Sequence, residues 1–81
     1  MENKILFDKI FKRDNYITPD EAEMLDDFLL DFKYSTLKNE QLQIIDDYLS
    51  CRILMLNTNN PSYKKTKDLI VLSEMIRNNH L

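Results

Sequence analysis

The chain contains no glycine among its 81 residues, although about six would be expected at the usual frequency of about 7%. Glycine supplies the positive φ angles that tight β-hairpins, β-bulges and phosphate-binding loops require. Its absence therefore excludes the glycine-rich nucleotide-binding motifs. Such a chain must form its connections with asparagine, aspartate, serine, threonine and proline, which favours helices joined by short polar loops.

Cysteine and histidine occur once each, as Cys51 and His80. An intramolecular disulfide is therefore impossible, and the metal-binding spacings CxxC, HExxH and ExxH are absent. A Cys–His catalytic pair would require the end of the chain to fold back. Cys51 falls within an apolar helical stripe, where we expect it to pack as a small hydrophobic residue.

Two pairs of adjacent aspartates, Asp26–Asp27 and Asp46–Asp47, are the remaining candidates for carboxylate chemistry. Neighbouring side chains on a helix diverge by about 100°, so each pair is predicted to be solvated surface. We therefore expect no cofactor, no metal and no enzymatic activity.

Long apolar runs are also missing. No stretch approaches the roughly 18 apolar residues of a membrane span, and the first residues lead into a helical pattern rather than a signal peptide. Together with the single cysteine, this predicts a cytoplasmic protein with no membrane partner.

Charge is present but unevenly distributed. The net charge of −3 divides into +1 over residues 1–17, −7 over residues 18–50 and +3 over residues 51–81. An acidic middle and a mildly basic end can pair within one fold, or they can present two surfaces of opposite sign.

The second of four predicted helices has the clearest start signal. Thr18 is the expected N-cap, Pro19 suits the first helical position, and Glu21 completes a capping box. The apolar face that follows predicts an end near Lys33 or Tyr34.

Helical periodicity also predicts a short first helix over about residues 2–13. A third helix is predicted to have Thr36 or Asn39 as its N-cap and to run to about Leu56, and a fourth to have Pro61 at its first helical position. Because all four predicted elements are helices, the expected fold is all-α, and short connections favour antiparallel neighbours. It is a single domain forming a small antiparallel bundle of three long helices and a short N-terminal one.

The third helix carries apolar residues on two sides, which predicts a central position with neighbours on both flanks. The first stripe is Leu42, Ile45, Leu49, Ile53 and Leu56, and the second is Ile44, Tyr48, Cys51 and Met55.

An acidic stripe lies opposite the apolar face of the second helix and is formed by Asp20, Glu23, Asp27 and Asp31. One interpretation is the ordinary solvated face of an amphipathic helix. The other is an electrostatic docking surface for a basic partner protein.

Arg52 falls on the apolar side of the third helix, where an arginine requires a carboxylate or carbonyl partner. It is predicted either to form an ion pair with the second helix or to lie at an interface. Leu30, Leu54 and Met24 point away from the main apolar faces. If Leu30 and Leu54 were adjacent, they would form a patch for a partner or a second copy of the chain.

A basic group at the start of the fourth helix, Lys64, Lys65 and Lys67, is joined further along by Arg77. These residues are the candidates for nucleic-acid phosphate contacts. Alternatively, Lys64 and Lys65 pair with the acidic second helix. The acidic net charge makes nucleic acid the less favoured partner.

These observations favour a non-enzymatic protein-binding regulator, inhibitor or adaptor that docks on a larger protein. The small size and the lysine- and asparagine-rich composition also fit a phage or mobile-element protein that acts on a host protein. The alternatives are a nucleic-acid accessory protein and a structural homodimer with Leu30, Leu54 and Arg52 at the two-fold axis.

Overall fold

The computed structural model describes residues 2–12 and 17–78, with side chains from residue 7 onwards. This part of the chain forms α-helices and no strand, which confirms the all-α prediction. The helices are α1 (Glu2–Lys12), α2 (Pro19–Asp31), α3 (Asn39–Asn59) and α4 (Lys65–Arg77), with a 3₁₀ turn at Tyr34–Thr36. The longest is α3, with 21 residues, and the other three have 11 to 13.

The start of α2 is the capping box that was predicted. The Thr18 side-chain oxygen accepts a hydrogen bond from the Glu21 amide at 3.2 Å, and the Glu21 carboxylate accepts one from the Thr18 amide at 3.0 Å. Lys9 of α1 also donates to Glu21 at 3.2 Å. The backbone hydrogen bond from Thr18, followed by that from Lys9, lowers the pKa of Glu21. Local sequence therefore determines where α2 begins.

The end of α2 comes earlier than predicted, at Asp31 instead of Lys33 or Tyr34, because Phe32 adopts an extended conformation. The Phe32 ring then stacks on Phe7 of α1, with ring centroids 4.7 Å apart. The Tyr34 hydroxyl donates to the Leu29 carbonyl at 2.5 Å, which satisfies one of the carbonyls that a helix end leaves without a partner.

The boundaries of α3 also differ from the prediction. Its first residue is Asn39, and the Lys38 amide before it donates to the Gln41 side chain at 3.0 Å. Thr36 lies in the 3₁₀ turn instead of acting as a cap. The helix continues three residues past Leu56 to Asn59, where the Asn60 amide donates back to the Leu56 carbonyl at 2.8 Å.

The fourth helix begins at Lys65, four residues later than predicted. Pro61 lies instead in a turn in which the Tyr63 amide donates to the Asn60 carbonyl at 3.1 Å. The Tyr63 hydroxyl donates to Asp26 of α2 at 2.9 Å. We attribute the late start to this long-range contact, because it holds Tyr63 outside the helix.

As predicted for a helix with apolar residues on two sides, α3 has a neighbour on each flank, α1 and α4. The prediction that α3 is central is wrong, because α2 also packs on α1 and α4, so the four helices form a ring in which the Asp26–Arg52 ion pair joins α2 to α3. Arg77, at the end of α4, bonds to Asp46, near the start of α3, so these two helices run antiparallel. The buried apolar core draws on all four helices and comprises Phe7, Ile10, Leu25, Leu29, Tyr34, Leu42, Ile45, Leu49, Leu56, Leu69, Leu72 and Ile76.

Candidate protein-binding surfaces

The acidic stripe of α2 is exposed, as its spacing predicts. Asp20, Glu23, Asp27 and Asp31 all face solvent. Asp27 accepts a hydrogen bond from Lys65 of α4, and this bond raises the pKa of the lysine. The other three carboxylates form no ion pair with any side chain within the described ranges, so they form a negatively charged ridge along α2.

Asp26, beside Asp27 in sequence, behaves differently, and the prediction that it is solvated surface is wrong. Its side chain is 0% exposed and accepts from the Arg52 Nε at 3.1 Å and the Arg52 Nη2 at 2.8 Å. The Tyr63 hydroxyl completes this cluster, and the guanidinium carbon lies 5.8 Å from the Tyr63 ring centre. Because Ala22 and Leu29, four residues before and three after, are also buried, the helical register places Asp26 on the apolar face.

Arg52 therefore forms the ion pair with α2 that was one of its two predicted roles. Its hydrogen bonds to Asp26 raise its pKa, and its side chain is only 11% exposed. Desolvation, followed by the hydrogen bond to Asp26, raises the pKa of Tyr63 to about 12. The structure assigns the guanidinium to the interior contact between α2 and α3, so little of it is available to a partner.

A second polar cluster joins α3 to α4, and here too the prediction of solvated surface is wrong for Asp46. Its side chain is buried and accepts from the Ser73 hydroxyl at 2.7 Å and from the Arg77 Nε at 3.1 Å. Arg77 also donates to the Ser50 hydroxyl at 2.8 Å. Asp47 remains exposed and accepts from the Gln43 amide at 3.0 Å.

The basic group is not brought together as one patch. Lys65 is engaged by Asp27, as the pairing alternative predicted, and Arg77 is engaged by Asp46. Lys64 and Lys67 are exposed and form no ion pair with the side chains that the structure describes. Two lysines near the start of α4 therefore remain for contact with an anion.

The apolar residues that did not fit the predicted faces lie in separate places. Leu30 is half-buried and lines a groove between α2 and α4, whereas Leu54 is 68% exposed on α3 and does not line that groove. Met24 is exposed beside the acidic ridge. Leu30 and Leu54 therefore lie apart and do not form a shared apolar patch.

The groove between α2 and α4 is an apolar concavity with a volume of about 540 Å³. On α4, Val71 and Met75 are 54% and 40% exposed and stand at its edge. Asp68 and Lys33, which also line the groove, contribute one negative and one positive charge. Its lining comprises Leu30, Phe32, Lys33, Tyr34, Ser35, Asp68, Val71, Leu72 and Met75.

The second concavity, of about 440 Å³, lies between the start of α2 and the second half of α3. Cys51 and Met55 line it and are exposed, so the expectation that Cys51 packs inside an apolar stripe is wrong. Of the second predicted stripe of α3, only Ile44 and Tyr48 pack against the core. The Tyr48 hydroxyl is buried without a hydrogen-bond partner in the described part of the molecule, and this burial raises its pKa to about 12.

No group of three or more histidine, cysteine, aspartate or glutamate side chains suited to a metal ion occurs in the part of the chain that the structure describes. His80, and with it the Cys–His pair considered in the sequence, lies outside the described residues. None of the helices within the described ranges is both long and apolar enough to cross a membrane.

Comparisons with protein-family models, with curated proteins and with solved structures gave no match to this chain.

Proposed function

We propose that this protein is a non-enzymatic protein-binding module, a small regulator, inhibitor or adaptor, and that its partner docks in the groove between α2 and α4. The observation that carries the proposal is the exposure of Val71 and Met75 at the edge of a groove of about 540 Å³ with Leu30 opposite. Contiguous apolar surface of this kind typically marks an interaction site.

The geometry suits a helical segment of the partner. Val71 and Met75 are four residues apart and lie on one face of α4, while Leu30 of α2 and the buried Tyr34 of the 3₁₀ turn also line the groove. A partner helix can insert apolar side chains at i, i+3 or i+4, and i+7 into an apolar groove of this kind. The apolar atoms of both molecules are then removed from water, which drives the association.

The charges along α2 favour a basic partner. Asp20, Glu23 and Asp31 follow the exposed side of α2, and Asp27 is the member of this ridge already paired with a lysine. A negative ridge accelerates encounter with a positively charged surface, and this acceleration decreases as salt screens the charges. We therefore expect the association rate to fall as ionic strength rises.

The test is affinity capture of the tagged protein from a lysate of its source organism, with and without nuclease, read by mass spectrometry. The key variant carries Val71→Lys and Met75→Lys, which place charge in the groove without altering buried residues. The matched control is Leu54→Lys, because Leu54 is at least as exposed but lies on α3. We expect one stoichiometric protein that is lost with the groove variant and retained with the control.

Two outcomes would contradict the proposal. A protein captured equally by the groove variant and the wild type would move the binding site elsewhere. Recovery that disappears with nuclease would favour the nucleic-acid alternative, and this alternative has its own variant, Lys64→Glu with Lys67→Glu. Its support is weaker because Lys65 and Arg77 already bond to aspartates.

A further inference from the structure

The outward face of α3 carries an apolar surface that is separate from the α2–α4 groove. Leu54 and Met55 are 68% and 57% exposed, and Cys51 is exposed one turn earlier. The steps from Cys51 to Leu54 and from Leu54 to Thr58, three and four residues, keep these side chains in one row along a helix. We call Cys51, Leu54, Met55 and Thr58 the α3 outer face.

The charge of this region distinguishes it from the rest of the surface. Residues 53–63 form a run of eleven without a charged side chain, in a chain of which 31% is charged. Arg52, which precedes the run, is neutralised by the buried Asp26. A surface without net charge can meet an identical surface without repulsion, whereas two copies of the acidic α2 ridge would repel each other. Interface centres are typically depleted in charged residues.

From these observations we infer that the α3 outer face binds the same face of a second copy of the chain. A two-fold axis beside Cys51 and Leu54 sets the two α3 helices antiparallel, so that Cys51 of one copy lies beside Leu54 of the other. The exposed Asp47, one turn before Cys51, then lies beside Thr58 of the other copy and not beside the second Asp47. Met55 and Cys51 also line the concavity of about 440 Å³ between α2 and α3. In this dimer, the exposed Leu54 of the second copy inserts its apolar side chain into the concavity.

The α3 outer face is small compared with a standard interface. Such an interface buries about 800 Å² and involves about 20–30 residues on each partner, whereas the α3 outer face has four exposed side chains beside one concavity. Association through one helix face and the neighbouring concavity is expected to be weak and to depend on concentration.

The test is sedimentation equilibrium of the full chain at concentrations from about 10 μM to about 1 mM. We expect a reversible monomer–dimer equilibrium whose dissociation constant rises about tenfold or more in Leu54→Lys and in Met55→Lys. The matched control is Val71→Lys, a similarly exposed apolar position on α4, and it should dimerise like the wild type. Circular dichroism confirms that each variant remains helical.

A second measurement uses the single cysteine, Cys51. A short bismaleimide should join two copies of the wild type through this thiol and should do so poorly in Leu54→Lys. A wild type that remains monomeric at about 1 mM overturns the inference, as does a dimer that Leu54→Lys and Met55→Lys leave intact. Because the groove variant used for the proposed function leaves this face unchanged, the two hypotheses fail independently.

Discussion

The buried ion pair between Asp26 and Arg52 makes a sharp prediction about stability. Replacing Arg52 with methionine keeps most of the side-chain length but leaves a carboxylate that is 0% exposed without its cation. Breaking a buried pair by removing one partner costs about 3–5 kcal/mol. Since an 81-residue domain at about 0.05–0.15 kcal/mol per residue has a total stability of about 4–12 kcal/mol, Arg52→Met should remove a large part of it.

The assay is urea unfolding at low temperature, followed by circular dichroism, for four proteins: wild type, Arg52→Met, Asp26→Leu and the double variant. The double variant buries two apolar side chains where the pair stood, so we expect it to be more stable than either single variant. The matched control is Lys9→Met, which breaks the half-exposed pair with Glu21 and should cost less than about 1 kcal/mol.

Two results would refute this reasoning. If Arg52→Met lowers the free energy of unfolding by no more than Lys9→Met does, then burial does not determine the strength of the Asp26–Arg52 pair. If the free energy lost in the double variant equals the sum of the two single losses, the side chains are not coupled, although they lie 2.8 Å apart.

Three further predictions follow from single residues. Thr18→Ala removes the N-cap of α2 and should lower the free energy of unfolding by about 1 kcal/mol; a melting temperature identical to that of the wild type would contradict the capping role. Ser73→Ala removes a buried donor to Asp46 and should cost about 1–3 kcal/mol in urea unfolding, whereas an unchanged midpoint would argue against that bond. The pKa of Tyr48 is about 12 in the folded protein against 10 for the free side chain, so only the unfolded chain loses this proton between pH 10 and 12. The contribution of Tyr48 should therefore lower stability by about 1.4 kcal/mol per pH unit in that range, and Tyr48→Phe should make this decline shallower.

The sequence predicts well those features that depend on neighbouring residues. The capping box at Thr18 and Glu21 is recognised because its hydrogen bonds lie within one helical turn. The interior pairing of Arg52 was predictable because a guanidinium on an apolar face must find an acceptor. The helix ends were less accurate because distant contacts determine them: Tyr63 reaches α2, and Phe32 stacks on α1.

Asp26 and Asp46 show where reasoning from spacing failed. The spacing of each adjacent pair predicts two solvated carboxylates, although Asp26 shares its helix face with the buried Ala22 and Leu29. The helical register of each aspartate taken alone would have indicated burial. The groove between α2 and α4 had no comparable signal, because it depends on which two helices become neighbours, and periodicity does not specify this.

The two polar clusters on α3 together select one hand of the bundle. Asp46 and Arg52 are six residues apart, which places them about 9 Å apart along the helix axis and about 120° apart around it. Arg52 points to α2 and Asp46 points to α4. In a mirror-image arrangement, with α1 and α4 exchanged on either side of α3, the leucines could still be buried, but Asp46 would face α1 instead of Ser73 and Arg77. A chain with both clusters replaced by apolar residues should therefore lose its preference between left- and right-turning topologies before it loses its helices.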